Sequence, residues 1–173
     1  PLYSSAASDV YKRQVLDTLH VLERAQGNEA HFLMQQLEEA ALTLVKNTDN
    51  HFPIVQLKNQ KIAVLTLGDS NSEAFVSQLK RYADLHTFDK SMDEASDFDR
   101  VIISVHKSNA SPWKSYKITE LEKEIIREFS EVTNVSLVVF ANPYSLLNAD
   151  YLTKVKAVLL AYQNSNSMQS LAA

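Results

Sequence analysis

Four short, almost unbroken apolar runs constrain this chain more than any other feature of its sequence. They are Ile62–Leu67, Val101–Val105, Val135–Phe140 and Ala157–Tyr162. A fifth, shorter candidate is Leu85–Phe88. Runs of this length and composition are typical of strands that are buried on both faces, as in a parallel sheet covered by helices. The runs therefore predict the strands of such a sheet.

Segments with helical spacing lie between these runs. Ser72 is a suitable N-cap for a helix whose apolar stripe extends from Phe75 to Ala83. Thr119 and Glu122 fit a capping box. The buried face of that helix is predicted to consist of Leu121, Ile125, Ile126 and Phe129. Because strands and helices alternate, we predict right-handed crossovers and a three-layer α/β/α sandwich with a mostly parallel sheet.

Two helices and a linker are expected before the sheet. Helical spacing runs from Val15 to Ala25, and a second helix is predicted from Asn28 to Lys46. Its apolar stripe consists of Phe32, Leu33, Leu37, Ala40, Ala41, Leu44 and Val45. A polar stretch and a proline then predict a linker. We assign residues 15–60 to N-terminal helices and linker, and residues 61–173 to the sandwich domain.

The first residues do not read as part of a natural protein. The segment Ser4–Gln14, with the sequence SSAASDVYKRQ, resembles the in-frame translation of a transposase-type sequencing adaptor. We expect residues 1–14 to be a disordered artefact of that origin, and the alternative is a genuine polar tail. The chain is accordingly expected to be an internal fragment that is cut at both ends.

Composition excludes several classes of function. With only 2 glycines, the chain has neither a Rossmann glycine fingerprint nor a Walker P-loop. With no cysteine, it has no disulfide, thiolate zinc site, iron–sulfur cluster or cysteine nucleophile. The net charge of -4 gives no basic surface for nucleic acid, and no apolar run approaches the roughly 18 residues of a membrane span. We therefore expect no metal, cofactor, nucleic-acid partner or membrane span.

Polar loops follow four of the predicted strands, at the edge where open parallel sheets meet ligands. The candidate residues for a site at this edge are Asp69, His106, Asn109 and Asn142. The alternative is that these side chains cap helices and form turns, for which Asp, Asn and Ser are well suited.

Gly68, Asp69 and Ser70 also resemble the first block of the GDSL esterases, in which the serine is the nucleophile. The later blocks of that family, which supply oxyanion donors and, near the C-terminus, an Asp-x-x-His base, do not follow Ser70 in this sequence. His106 stands at a strand end, where a general base could lie, but no carboxylate follows at a spacing that would orient it.

A more extensive resemblance rests on four stretches that occur in order. They are residues 39–47 (EAALTLVKN) with 52–54 (FPI), 61–68 (KIAVLTLG), 140–146 (FANPYSL), and 158–164 (VLLAYQN) with 168–173 (MQSLAA). Together they resemble the C-terminal α/β sandwich domain of glycoside hydrolase family 3 (GH3), in its β-N-acetylhexosaminidase branch. One departure is Ala141, where the family is expected to have glycine.

This resemblance implies a parent enzyme that removes terminal N-acetylglucosamine-type sugars by a retaining mechanism. The family carries its nucleophile and its acid/base residues on an N-terminal (β/α)8 barrel, so no catalytic residue is expected in this chain, and the fragment alone should be inactive. The expected partners are that barrel and, through it, the carbohydrate substrate. Relatives are commonly exported to the periplasm or cell surface. The alternative function is a stand-alone flavodoxin-like binding module.

Overall fold

The structure is a computed structural model that describes residue 20 and residues 25–88, 95–108, 111 and 113–173. Residues 1–14 and most of the helix predicted for Val15–Ala25 lie outside the described residues. The chain divides into two compact units, residues 1–37 and residues 38–173. The first unit contains most of helix α1 (Asn28–Ala41), in which no residue is buried.

The second unit is built on a six-stranded sheet. Its strands are β1 (Thr43–Asn47), β2 (Ile62–Gly68), β3 (Leu85–Thr87), β4 (Arg100–His106), β5 (Val135–Phe140) and β6 (Ala157–Leu160). Its further helices are α2 (Glu73–Leu79), α3 (Glu120–Val132) and α4 (Asn166–Ala172). The strand order is β1-β6-β5-β4-β2-β3. Strand β1 pairs antiparallel with β6, and all the other pairs are parallel.

The predicted sandwich is confirmed. All the residues of β5 are buried, as expected for a central strand covered on both faces. On one face, Ile103 and Leu137 pack in a core with Phe129 of α3. On the other face, Phe140 packs with Phe75 of α2 and with Met168 of α4. Alternate side chains of each strand thus enter opposite cores, which is the consequence of the two-residue repeat of a strand.

The helix predicted from Asn28 to Lys46 is wrong in its last five residues. The helix ends at Ala41, and residues 43–47 form β1, which pairs with β6 from Thr43↔Leu160 to Asn47↔Ala157. Adjacent apolar residues such as Leu44 and Val45 fit a strand as well as a helix, so hydrogen bonding to β6 decides the conformation. Residues 38–60 therefore belong to the same compact unit as the sheet.

The capping box predicted at the start of α3 is confirmed. The Thr119 hydroxyl accepts a hydrogen bond from the Glu122 amide at 3.3 Å, and the Glu122 carboxylate accepts one from the Thr119 amide at 2.7 Å. Ile126 and Phe129 are buried as predicted, but Leu121 is exposed, so its assignment to the buried face is wrong. Leu121 lies in the first turn, before the helix packs against the sheet.

Thr119→Ala is expected to lower the free energy of unfolding by about 1 kcal/mol, because one amide at the helix start loses its acceptor. Chemical denaturation in urea measures this change. Ser72→Ala is the matched control, because Ser72 occupies the N-cap of α2 without making a side-chain capping bond. An equal loss of stability in both variants would contradict this role for Thr119.

Candidate functional site

The parallel strands place a topological switch point between β2 and β4. The chain passes from β2 to β3 on one side and then returns across β2 to β4 on the other. The two strands end together, with Gly68 opposite His106. In open α/β sheets, ligands bind in the crevice outside such strand ends. The predicted site residues Asp69 and His106 are therefore brought together at the appropriate edge.

Gly68 makes the close approach of the two strand ends possible. Its φ is +110°, a region that residues with a Cβ rarely adopt. A Cβ at this position would lie 2.0 Å from the carbonyl oxygen of His106. The same oxygen accepts a hydrogen bond from the Asp69 amide at 3.0 Å. Glycine is thus required here by packing as well as by conformation.

Asp69 and Asn142 have turn-forming contacts. Asp69 is exposed, and its Oδ1 accepts a hydrogen bond from the Ser108 amide at 3.3 Å. Asn142 is exposed too, and its Oδ1 caps the turn Pro143–Leu146 by accepting from the Tyr144 amide at 3.0 Å. Asn109 lies outside the described residues. These contacts match the alternative stated from the sequence, in which polar residues at strand ends form turns and caps.

His106 is fully buried rather than open to a ligand. Its ring stacks on Phe140, with centroids 4.6 Å apart, and meets the edge of Phe75 at 5.9 Å. Its Nδ1 lies 2.7 Å from Oδ1 of Asn164. Burial lowers the pKa of His106 below its usual 6.5, although the hydrogen bond to Asn164 acts in the opposite direction. At neutral pH this side chain is therefore an uncharged structural group.

In the described part of the chain, no histidine or carboxylate is hydrogen-bonded to the Ser70 hydroxyl as a general base would be. Its hydroxyl accepts a hydrogen bond from Nδ2 of Asn164 at 2.9 Å, and the oxygen of the same amide bonds His106. Asn164 therefore separates the hydroxyl from the ring. This arrangement gives no support to the esterase interpretation of the Gly68-Asp69-Ser70 block.

Sequence reasoning missed a buried ion pair at this edge. Nζ of Lys107 lies 2.7 and 2.8 Å from the carboxylate oxygens of Glu122, and the two side chains are only 6% and 12% exposed. The pair ties the end of β4 to the first turn of α3. The capping box predicted for Glu122 was the available signal, but nothing in the sequence connects that residue with Lys107.

Sequence reasoning also missed Asn164 and Gln169 as individual residues. Gln169 is buried, and its Nε2 donates to Asn164 Oδ1 and to the Asn71 carbonyl, both at 2.9 Å. The position of Asn164 after the last predicted strand was a signal, since it parallels Asp69 and Asn142. No comparable signal marks Gln169, because an isolated glutamine in a short helix is ordinarily exposed.

A second polar cluster lies at the opposite end of the strands, near the amino ends of β4 and β5. Nε2 of His51 lies 3.0 Å from the Ser136 hydroxyl, and the Arg100 guanidinium donates to the His51 carbonyl at 3.0 Å. Burial, followed by the positive charges of Arg100 and Lys156, lowers the pKa of His51 to about 4. This cluster holds the segment after β1 against the amino ends of β4 and β5.

The carboxylates described at the carboxyl ends of the strands have structural partners. A glycoside hydrolase needs two carboxyl groups on either side of the scissile bond. Asp69 makes a turn contact, and Glu122 is engaged by Lys107. Across the ranges that the structure describes, no three His, Cys, Asp or Glu side chains gather as a metal site. No helix in those ranges has the length and apolar character to cross a bilayer.

Comparison with known proteins gives similarity at the level of structure. No family model and no curated protein matches the sequence. A fungal multi-domain GH3 β-N-acetylglucosaminidase matches at a TM-score of 0.66 with 20% identity, over 84% of this chain and 17% of that chain. The β-glucoside phosphorylase BglX, bound to 2FGlc, matches at 0.72 with 17% identity, over 95% and 32%.

A GH3 β-N-acetylglucosaminidase from Paenibacillus sp. matches at a TM-score of 0.57 with 16% identity, over 85% of this chain and 30% of that chain. This chain thus spans less than a third of the length of each of these three structures, and at such identities the likeness concerns the fold. The chain therefore has the α/β sandwich fold that the resemblance predicted, and it shares this fold with one part of these longer enzymes.

Proposed function

We propose that this chain is the C-terminal α/β sandwich domain of a retaining GH3 exo-β-N-acetylhexosaminidase and has no hydrolase activity alone. One observation carries the proposal. The fold matches GH3 structures over 84–85% of this chain while filling 17–30% of theirs. The four ordered sequence stretches support the same assignment and favour the N-acetylhexosaminidase branch.

In the proposed parent enzyme, the catalytic groups and the supporting loops belong to different domains. A retaining glycosidase needs a nucleophilic carboxylate and a proton donor about 5 Å apart. The family resemblance assigns both groups to the barrel. This chain is then a supporting domain, and its loops at Asp69 and Asn142 close one wall of the sugar cleft. The carbohydrate substrate is bound by the barrel.

Exposed apolar surface in the first unit fits the same role. Phe32, Leu33 and Leu37 on α1 are each more than half exposed. An apolar helical stripe normally packs against another element. We assign the barrel of the parent protein as that element, and we place the parent in the periplasm or at the cell surface, as is common among the family's relatives.

The 173-residue chain is expected to release no aryl leaving group from an aryl N-acetyl-β-glucosaminide, because the proposal places both catalytic carboxyl groups on the barrel. A colorimetric assay measures the release, with circular dichroism of the same sample confirming that the chain is folded. An aryl β-glucoside serves as a parallel substrate. Release of the aryl group above the blank, retained through purification, would contradict the proposed inactivity.

The DNA upstream of the codon for Val15 tests the identity of the parent directly. A preceding frame that encodes eight βα units is the expected result. A start codon and ribosome site beside Val15 would instead favour a stand-alone flavodoxin-like module. One observation favours that second candidate: the parallel strands follow the order β3-β2-β4-β5-β6, which is the order of the flavodoxin-like fold.

A further inference from the structure

We propose that His106, Asn164 and Gln169 form a pH-sensitive latch, which holds α4 and the β2–α2 loop at the carboxyl edge of the sheet and opens when His106 is protonated. His106 acts here as a positioning residue and touches no substrate. The latch would operate whether or not the parent protein is a glycosidase, because every group in it belongs to this chain.

The orientation of the Asn164 amide fixes the tautomer of His106. Nδ2 of Asn164 donates to the Ser70 hydroxyl at 2.9 Å and to the Asn71 carbonyl at 3.0 Å. A backbone carbonyl only accepts, so the amide group at Asn71 is the NH2 and the atom facing His106 is the carbonyl oxygen. Nδ1 of His106 lies 2.7 Å from that oxygen and must therefore carry the proton.

Nε2 of His106 is consequently unprotonated in the neutral ring. It is buried, and it has no hydrogen-bond partner within the described part of the chain. Protonation there would create a donor without an acceptor, and a positive charge between Phe140 and Phe75. Attraction to the face of Phe140 offsets part of this cost. Burial lowers the pKa of His106 despite its hydrogen bond to Asn164.

Charged groups on the surrounding elements are engaged elsewhere or exposed. Asp69 is exposed and bonds the Ser108 amide, and Glu73 on α2 is exposed. Lys107 pairs with Glu122. Oε1 of Glu38 accepts a hydrogen bond from the Ser165 hydroxyl, and its Oε2 is buried without a hydrogen-bond partner in the described part of the chain. Strand β5 and helix α4 contain no titratable residue. Among the described residues none forms an ion pair with His106, so opening would relieve the charge of an imidazolium there by admitting water.

The network determines which elements the latch releases. Gln169 of α4 donates to Asn164 and Asn71, while its Oε1 accepts from the Phe75 amide at 3.1 Å. One buried side chain thus joins α4, the β2–α2 loop and α2. Protonation at Nε2 leaves the Nδ1–H bond to Asn164 in place, so the buried charge, and not a lost contact, drives the opening. Because Asn164 and Gln169 bridge α4 and the β2–α2 loop, helix α4 and residues 69–72 should open together.

Acid should favour the open state, because opening is coupled to the binding of a proton. The opened state has a histidine with an ordinary pKa near 6.5, whereas the closed state has a lowered one. Opening therefore binds a proton. Below about pH 6.5 the opening equilibrium should rise by up to about tenfold per pH unit, until the closed-state pKa is reached.

Hydrogen exchange of the complete chain, corrected for intrinsic rates, tests the latch between pH 7 and 5. In the wild type, acid should increase the hydrogen exchange of α4 amides much more than that of β4 amides. We call this difference the excess exchange of α4. His106→Phe keeps a buried ring without titration and should remove this excess. His51→Gln is the matched control at the other histidine with a lowered pKa, and it should leave the excess unchanged.

Histidine 15N shifts of the wild type provide a test that needs no variant. They should show the Nδ1-H tautomer for His106 and no protonation near pH 6.5. An Nε2-H tautomer, titration near pH 6.5, or an acid-dependent exchange of α4 that persists in His106→Phe would each overturn the latch.

Discussion

Gly68→Ala is expected to destabilise the sandwich more than a change at any exposed position. It should prevent folding if the unsubstituted chain has a free energy of unfolding smaller than the loss. The new Cβ would meet the His106 carbonyl oxygen at 2.0 Å, far inside van der Waals contact. The φ of +110° adds backbone strain. Relief requires the ends of β2 and β4 to separate, which also breaks the hydrogen bond from the Asp69 amide.

The combined loss should be at least about 3 kcal/mol, from steric overlap, left-handed backbone strain and one broken hydrogen bond. Urea denaturation followed by circular dichroism measures it. Gly27→Ala, at the other glycine of the chain, is the control, because Gly27 lies outside the sheet and before α1. A loss below about 1 kcal/mol for Gly68→Ala would show that the strand ends can move apart freely.

Lys107→Met is expected to reduce the free energy of unfolding by about 3–5 kcal/mol, because it leaves a buried carboxylate without its partner. Glu122 is only 12% exposed, so water compensates poorly for the lost ammonium. The pair also fixes the start of α3 against β4. Urea denaturation is again the measurement, since the variant retains a long apolar side chain and is expected to fold.

A double-mutant cycle separates the ion pair from simple packing. Glu122→Gln retains a side chain that can complete the capping box, so it isolates the loss of charge. The double variant Lys107→Met/Glu122→Gln should be more stable than the sum of the single changes predicts. Lys154→Met is the matched control, because its partner Glu131 and Lys154 itself are about half exposed, and it should cost under about 1 kcal/mol. Additive single effects would rule out a coupled pair.

Most of the sheet could be predicted from the sequence. The runs at Ile62, Val101, Val135 and Ala157 all begin strands or lie one residue inside them. Strands that are buried on both faces have few polar residues, and that composition is visible in one sequence. The capping box at Thr119 was predictable for a similar reason, since both of its partners lie within one helical turn.

The ends of elements and the polar contacts were less predictable. The segment at Leu44 and Val45 has apolar spacing that suits a helix, and only its hydrogen bonding to β6 makes it a strand. His106 was a candidate base by its position, but its burial against Phe140 and its bond to Asn164 make it a structural group. Position along a strand does not reveal which later segment folds over it.

By itself, the sequence determined the layered α/β architecture and a set of polar strand ends, because hydrophobic periodicity and capping are local properties of the chain. Only the tertiary structure decided that Lys107 meets Glu122, that Gly68 must lack a side chain, and that Asn164 and Gln169 close over His106. Those contacts join residues from separate elements, so they exist only once the crossovers have brought the strand ends and helix starts to one edge.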